Sequence, residues 1–304
     1  VTIIVPCWNE ETTVAQTLRS LLKIDYPEGK LFIKAVDAGS TDSTWQAMQE
    51  FQGVSNIELI HKKNGGKHTA MNLAIKTTTT EFIGCLDADA FVNSDTLKKT
   101  MWQFFTDPSL MAVSPAIIVY KPKGFFQKAV EIEYSMFILM KKVLGILNGI
   151  HVTQGPFSVY RKRVFDNLGP YRNAHNTEDL EIAYRMQVAG YKIGQCHDAF
   201  VYTVTPDTFK GLYRQRLRWV YGFLNNSFDY RRYIMNPKYG TFSIFTVPIG
   251  LVSILSSLVF TFFVLWNTGV WMNHLIVKLM LTNFYLGHVA MPSFNFFYLN
   301  LQPR

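Results

Sequence analysis

Through the first hundred residues, short apolar runs alternate with segments whose apolar residues recur every three or four positions. VTIIVPCW is the first run, and residues 10–23 then place Val14, Leu18, Leu21 and Leu22 at helical spacing. LFIKAVDA reads as a second strand, 41–51 as a helix and NIELIHK as a third strand. GGKHTAMNLAIK opens a helix, EFIGCLDADA is a fourth strand, and 94–105 forms a further helix. Strands and helices taking turns predict an α/β fold with a parallel, doubly wound sheet. Ligands bind such sheets at the carboxyl ends of the strands. Polar residues collect there: Asn9 and Glu10 after the first strand, Asp37 on the second, Asp87 and Asp89 on the fourth.

The later pattern is different. Residues 122–147 form a long amphipathic stretch in which Ala129, Ile132, Met136, Leu139 and Val143 follow a helical repeat. Phe126, Val130, Phe137, Met140 and Leu144 widen the stripe, and Lys121, Lys123, Lys128, Lys141 and Lys142 flank it. Two placements suit this pattern: a helix lying in a membrane interface, or one packed on the sheet. Helices are also expected over 179–189 and 207–230. Residues 241–266 carry no charge and, at 1.5 Å per residue, are long enough to cross a hydrocarbon core of about 30 Å. Pro248 and Gly250 interrupt this span, which a membrane helix tolerates. A second candidate span, 275–299, contains Lys278, His288 and Pro292.

Charge gives these segments an orientation. Lys210, Arg214, Arg216, Arg218, Arg231, Arg232 and Lys238 precede the first span, and an expected loop at 267–273 has no Lys or Arg. The positive-inside rule then expects residues 1–235 in the cytoplasm, as a catalytic domain held at the cell membrane by the region 241–304. The net charge of +8 alone would also suit nucleic acid. Its concentration beside a span, and not along a recognition helix, argues for a lipid membrane and against nucleic acid. Three widely spaced cysteines, Cys7, Cys85 and Cys196, form neither a disulfide framework nor a zinc site. The chain opens at Val1 inside an expected strand, which reads as a piece of a longer protein.

Five short segments carry candidate chemistry. Asp87 and Asp89, at i and i+2 on a strand end, can share one hard cation or divide cation and sugar between them; a pair that leaves room for phosphate oxygens suits Mg2+ or Mn2+. In DAGSTD, Gly39 permits a tight turn, Asp42 reads as a helix cap, and Asp37 faces the ligand edge. Gly65-Gly66-Lys67 opens a helix, as a diphosphate contact or an ordinary turn. Thr177-Glu178-Asp179 begins a helix, either as a cap or as a site for a general base. In QRLRW, Arg218 shares a face with Arg214 and can neutralise a diphosphate, while Trp219 offers a ring for a sugar; a basic flank with an interfacial tryptophan is the plainer account.

Taken in order, VPCWNEE, DAGSTD, GGKHTAMNLA, DADA, QGPFSVYR, TEDLE and QRLRW resemble the processive family 2 glycosyltransferases, the group of hyaluronan, chitin, cellulose and poly-N-acetylglucosamine synthases. The resemblance implies a GT-A fold, a Rossmann-like nucleotide-diphospho-sugar transferase domain, followed by transmembrane and interfacial helices. It implies a UDP-sugar donor, with UDP-N-acetylglucosamine favoured, and a growing polysaccharide as acceptor. Pro6, Trp8, Glu10, Asp37, Lys67, Asp87 and Asp89 would bind the donor, Asp87 and Asp89 also the metal. Asp179 would be the catalytic base. Gly155, Pro156, Glu178, Gln215, Arg218 and Trp219 would serve acceptor and diphosphate. Ala38 departs from relatives that carry a second aspartate there. Transfer of one sugar to a lipid carrier and a non-catalytic nucleotide-sugar sensor are the competing readings; accessory export subunits are left open.

Overall fold

Strand β1 (Thr2–Cys7) is buried along its whole length, because helices cover both faces of a central parallel strand. It pairs in parallel with β2 (Phe32–Asp37) on one side and β4 (Phe82–Leu86) on the other, and β3 (Ile57–His61) extends β2. Alternate side chains of β1 feed two cores. Ile3 and Val5 pack with Val14, Leu18 and Leu21 of α1 (Val14–Leu22), beside Met48 of α2 (Thr44–Gln49). Ile4 packs with Ala70, Met71 and Ala74 of α3 (Lys67–Lys76) on the opposite face. This half is the doubly wound parallel sheet that the alternating pattern predicts.

The computed structural model describes residues 1–281, of which residues 1–249 make one compact unit and those from Gly250 onward a second. The first unit continues through β5 (Ala90–Val92), α4 (Thr96–Thr106), β6 (Leu110–Val119) and α5 (Gly124–Ile146). β7 (Phe157–Arg161), α6 (Arg163–Leu168), α7 (Glu178–Val188), β8 (Lys192–Thr203) and α8 (Phe209–Asp229) follow. The eight strands lie in the order β3-β2-β1-β4-β7-β6-β8-β5.

The parallel arrangement expected from the first hundred residues does not extend through the whole sheet. β7 is antiparallel to both β4 and β6, and β5 is antiparallel to β8. Two local causes account for it. EFIGCLDADA is not one strand, because the Ala90 amide bonds back to the Asp87 carbonyl at 3.0 Å and turns the chain away into β5. In addition, α5 is no crossover: β7 begins toward the end where β6 finishes. That return sets Phe157 opposite Leu86, and it brings the segment before β7 beside the Asp87 turn.

Helix α5 settles against β6 and β8 through Val130 and Leu144. The stripe is divided: Val130 and Leu144 face the sheet, while Ile132, Met136, Leu139 and Val143 are exposed. Its C-terminal end meets the chain again at residues 241–247, where Thr246 Oγ1 donates to the Gly149 carbonyl at 2.9 Å.

Phe242–Thr246 form a π-helical turn, followed by α9 (Val247–Leu281). Pro248 lacks an amide hydrogen and would crowd the carbonyl four residues back, so a widened turn just before it is the expected relief. The interruption anticipated at Pro248 is therefore absorbed at the start of the helix. Helix α9 also runs straight through 267–273, where a loop was expected: Asn267 Nδ2 returns to the Phe263 carbonyl at 2.8 Å, and Gly269 alone does not break the ladder. Its 35 residues extend roughly 50 Å. Among the described residues, one helix, Phe242–Leu281, is long and apolar enough to cross a membrane. Most of the candidate span 275–299 lies outside the described residues.

Ile3 has no exposed surface at the centre of β1. Ile3→Ala should cost about 2–5 kcal/mol and lower the melting temperature by on the order of 10 °C in a thermal denaturation scan.

Candidate active site

Two loops at the carboxyl end of the parallel half are stitched together. Asn9, in the left-handed region (φ 57°), accepts from the Thr41 amide at 2.9 Å and donates its own amide to Ser40 Oγ at 3.0 Å. The Glu10 amide donates to Thr44 Oγ1, and Asp42 accepts from the Thr44 amide, one residue ahead of Ser43 at the N-cap of α2. Pro6 is buried in β1, while Trp8 projects with 55% of its surface exposed. Asp37 does not present a free carboxylate. It is fully buried, its Oδ1 accepts from Ser40, and its Oδ2 meets His61 Nδ1 at 2.7 Å.

Lys67 is the first residue of α3, and Gly66 before it turns with φ 88°, a conformation in which a Cβ is disfavoured. Its ammonium lies 2.7 Å from Asp87 Oδ1 and 3.0 Å from Glu178 Oε1, joining a strand end to a helix start far along the chain. Burial works to lower the lysine pKa, but attraction to Asp87, Glu178 and Asp179 outweighs it and holds the group well above its ordinary value. Glu178 moves the opposite way: burial opposes its charge, and Lys67 more than compensates, leaving it below the usual carboxylate range.

Asp179 follows in the first turn of α7. Its Oδ1 accepts from the Leu180 amide at 2.9 Å, and its main-chain carbonyl accepts from both the amide and the hydroxyl of Thr153. Burial, with repulsion from Glu178, pushes its carboxyl up to about 6 against the pull of Lys67. Asp179 Oδ2 and Asp87 Oδ2 converge above Gly155, where a Cβ would lie 3.3 Å from each and 3.7 Å from Lys67 Nζ. The Asp87 amide bonds to the Pro156 carbonyl. Gly155-Pro156 thus floor the space between the two carboxylates.

Asp89 is pushed up to about 7, first by burial and then by repulsion from Asp87 and Glu10. Burial raises Glu10 as well, although Thr13 donates to it. This corner of the site is short of positive charge. Among the described residues, no group of three or more Asp, Glu, His or Cys is arranged to hold a metal. Two carboxylates nevertheless fit Mg2+ or Mn2+, which commonly takes one or two and completes its shell with water and substrate phosphates.

Helix α8 closes the other side. Ala174, His175 and Asn176, ahead of the acidic pair, are all left-handed (φ 47°, 56° and 61°), at a cost of roughly 1 kcal/mol each. Contacts from α8 hold them there. Asn226 Nδ2 donates to the Ala174 carbonyl and to Thr177 Oγ1, Arg218 donates to the Asn176 carbonyl at 3.0 Å, and His175 pairs with Asp229. The Arg218 charge also works to lower the carboxyls of Glu178 and Asp179. The Arg216 guanidinium lies 4.3 Å from the centroid of the Trp219 ring and covers one of its faces. Arg216 is itself paired with Glu133 of α5, and Gln215 Oε1 is buried without a partner.

Three participants were not singled out in the sequence. His61 ends β3 in register with Asp37, a pairing that the parallel strand pattern could have supplied. Tyr134 of α5 is pushed up to about 12, chiefly by burial, and its phenol feels the charges of Asp87 and Asp89. Lys141 is buried, although its neighbours in sequence made it look like a solvated flank. A cavity of about 690 Å3, lined by Arg172, His175, Glu181, Arg185 and Tyr230 among others, lies behind the left-handed loop and includes none of the expected site residues.

Comparison with known proteins bears on this geometry. Residues 1–222 match the family described as glycosyltransferase like family 2. Poly-beta-1,6-N-acetyl-D-glucosamine synthase from Staphylococcus epidermidis is 29% identical over 224 residues, 73% of this chain and 54% of the relative. The Staphylococcus aureus enzyme of that name is 27% identical over the same shares. The chain therefore spans about half the length of these curated relatives. Among solved structures, a mannosyltransferase from Pyrobaculum calidifontis in complex with GDP-Man and Mn2+ superposes with a TM-score of 0.62 at 23% identity, covering 74% of this chain and 63% of that one. TarS residues 1–349 from S. aureus, in complex with UDP-GlcNAc, gives 0.51 at 23% identity, covering 74% and 66%. The fold is GT-A-like, an α/β Rossmann-like domain followed by one long apolar helix.

The packing of α8 on the acidic pair leaves no room at Gly222, where a Cβ would fall 2.3 Å from Thr177 Cγ2. Gly222→Ala should cost about 1–3 kcal/mol by overpacking, seen as a lowered melting temperature, and should reduce turnover by displacing Thr177 and the two residues after it.

Proposed function

The chain belongs to glycosyltransferase family 2, and from that premise we propose that it transfers a sugar from a UDP-sugar to the end of a growing β-linked polysaccharide, with inversion at the anomeric carbon. The observation that carries the proposal is the convergence of Lys67, Asp87 and Asp179 around Gly155, with Glu178 paired to Lys67. UDP-N-acetylglucosamine is the preferred donor. Support comes from the poly-N-acetylglucosamine synthases, similar over 224 residues of this chain.

In this reading Asp179 is the general base. Its Oδ1 is engaged by the Leu180 amide, which leaves Oδ2 to take the proton from the acceptor hydroxyl. The acceptor oxygen forms the new bond to the anomeric carbon as the bond to the diphosphate oxygen breaks, and UDP departs with that electron pair. Lys67 and Arg218 supply positive charge toward the leaving diphosphate. Glu178, tied to Lys67, orients that lysine and leaves a single carboxylate for proton transfer, which favours one displacement and a β-linked product from an α-linked donor. A Mg2+ or Mn2+ ion held by Asp87 and Asp89 would add charge neutralisation at the diphosphate. Gln215 and Trp219 complete the acceptor side.

The same proposal seats the protein on the cytoplasmic side of the cell membrane. The exposed face of α5 lies in the interface, and the apolar helix Phe242–Leu281 crosses the bilayer. The hydrogen bond from Thr246 to Gly149 supports this seating, because it joins the beginning of the apolar helix to the end of α5.

Membranes bearing the full-length protein, supplied with radiolabelled UDP-sugars and Mg2+ or Mn2+, should form polymer from UDP-N-acetylglucosamine and stop when chelator is added. Incorporation of a single sugar into lipid would move the assignment to a lipid carrier, and UDP binding without any transfer would mark a sensor. Asp179→Asn should lower transfer by about 10²–10⁴-fold while UDP affinity stays within a few-fold; loss of UDP binding would make Asp179 structural. Because Asp179 must be deprotonated to act and its carboxyl is raised to about 6, kcat/KM in the wild type should fall as pH drops through about 6.

A further inference from the structure

Lys141 stands on the inner face of α5 with 6% of its surface exposed, and no carboxylate pairs with it directly. An ammonium withdrawn from water costs several kcal/mol unless something compensates. An apolar residue would pack there at less expense. Its Nζ donates to the Val152 carbonyl at 3.3 Å. With the Gln154 amide oriented to satisfy both neighbours, Nζ also donates to Gln154 Oε1 at 3.2 Å while Gln154 Nε2 donates to the Pro115 carbonyl at 2.6 Å. Thr153, between those two residues, bonds the Asp179 carbonyl with its amide at 3.2 Å and its hydroxyl at 2.8 Å.

We propose that Lys141 is a positioning residue for Asp179: from inside α5 it grips the segment on either side of Thr153 and so sets where the Asp179 carboxylate stands above Gly155. The inference rests on the reading of Asp179 as the base. Two titratable groups face Lys141 across the segment. Asp179 steadies its charge, while burial, acting first, draws the lysine down to about 7. His151 is driven down to about 4 by burial and by the lysine, and so stays neutral beside it. The acidic partner at this junction is the base itself. One side of α5 is apolar and open, and the other ends in a contact two hydrogen bonds from the catalytic carboxylate's backbone.

The test uses the full-length protein in membranes, with UDP-N-acetylglucosamine as donor, and compares Lys141→Met, Thr153→Val, their double variant and Asp179→Asn. Lys141→Met should keep its melting temperature, since removing a buried charge in favour of an apolar isostere is often neutral, and should lower kcat about 10-fold or more with the donor KM within twofold. Thr153→Val should lower kcat in the same way, and the double variant should be no worse than the poorer single one, as expected for residues acting through one contact. Unchanged kcat in a folded Lys141→Met, multiplying losses in the double variant, or loss of the melting transition in Lys141→Met would each overturn the proposal. Undiminished transfer by Asp179→Asn would instead overturn the assignment of the base, and the proposal with it.

Discussion

Asp87, Asp89, Glu178 and Asp179 bring four carboxylates to one end of the sheet, and the ammonium of Lys67 stands among them. Two like charges about 4 Å apart repel by about 4 kcal/mol at an effective dielectric near 20, so such a cluster would lose protons unevenly or spread apart without a counter-charge. Lys67 meets that requirement by bonding one carboxylate from the strand and one from the helix. The lysine in turn depends on the turn at Gly66, which starts α3 where the side chain can reach both. What remains uncompensated falls on Asp89 and Asp179, the two carboxyls that burial and their neighbours raise. In the proposed reading these are the two carboxyls assigned to a cation and to a proton.

The remaining elements hold this arrangement from two sides. β7 returns antiparallel and lays Gly155-Pro156 beside Asp87, while α8 presses on the left-handed loop that introduces Glu178. α5 and α8 are themselves joined by the Glu133–Arg216 pair, with Arg216 lying over Trp219. The QRLRW segment is thus divided in its duties: Arg218 turns toward the acidic pair, and Arg216 locks the helix to its neighbour.

Much of this was legible in the residues themselves. Periodicity located β1 to β4 and the helices between them, and the strand-end rule pointed to Glu10, Asp37, Asp87 and Asp89 before any geometry was known. The antiparallel half was harder to see. A three-residue strand such as Ala90–Val92 has no period of its own, and the turn that detaches it is made by backbone atoms of residues chosen for chemistry. Asp37 illustrates a different limit, since its position was visible but its saturation by Ser40 and His61 depends on strand register. Lys141 was read as one of several flanking lysines because hydropathy counts charges along the chain and cannot tell which one turns inward. The helix through 267–273 was missed for a related reason: polar residues inside an apolar helix look like a loop until their side chains are seen to bond the preceding turn.

Gly155 has a consequence of its own. The space above its Cα is where two carboxylates and a lysine face one another, and it is bounded at little more than the reach of one methyl group. Every coded replacement for glycine adds at least that carbon, and the two carboxylates would have to give by a few tenths of an ångström to admit it. Neighbouring sites can drift through a series of similar side chains; here the first step already enters the space the reaction would occupy. A side chain at residue 155 would press first on the two carboxylates and next on the lysine, so the shape of this space is set by a residue that has no side chain.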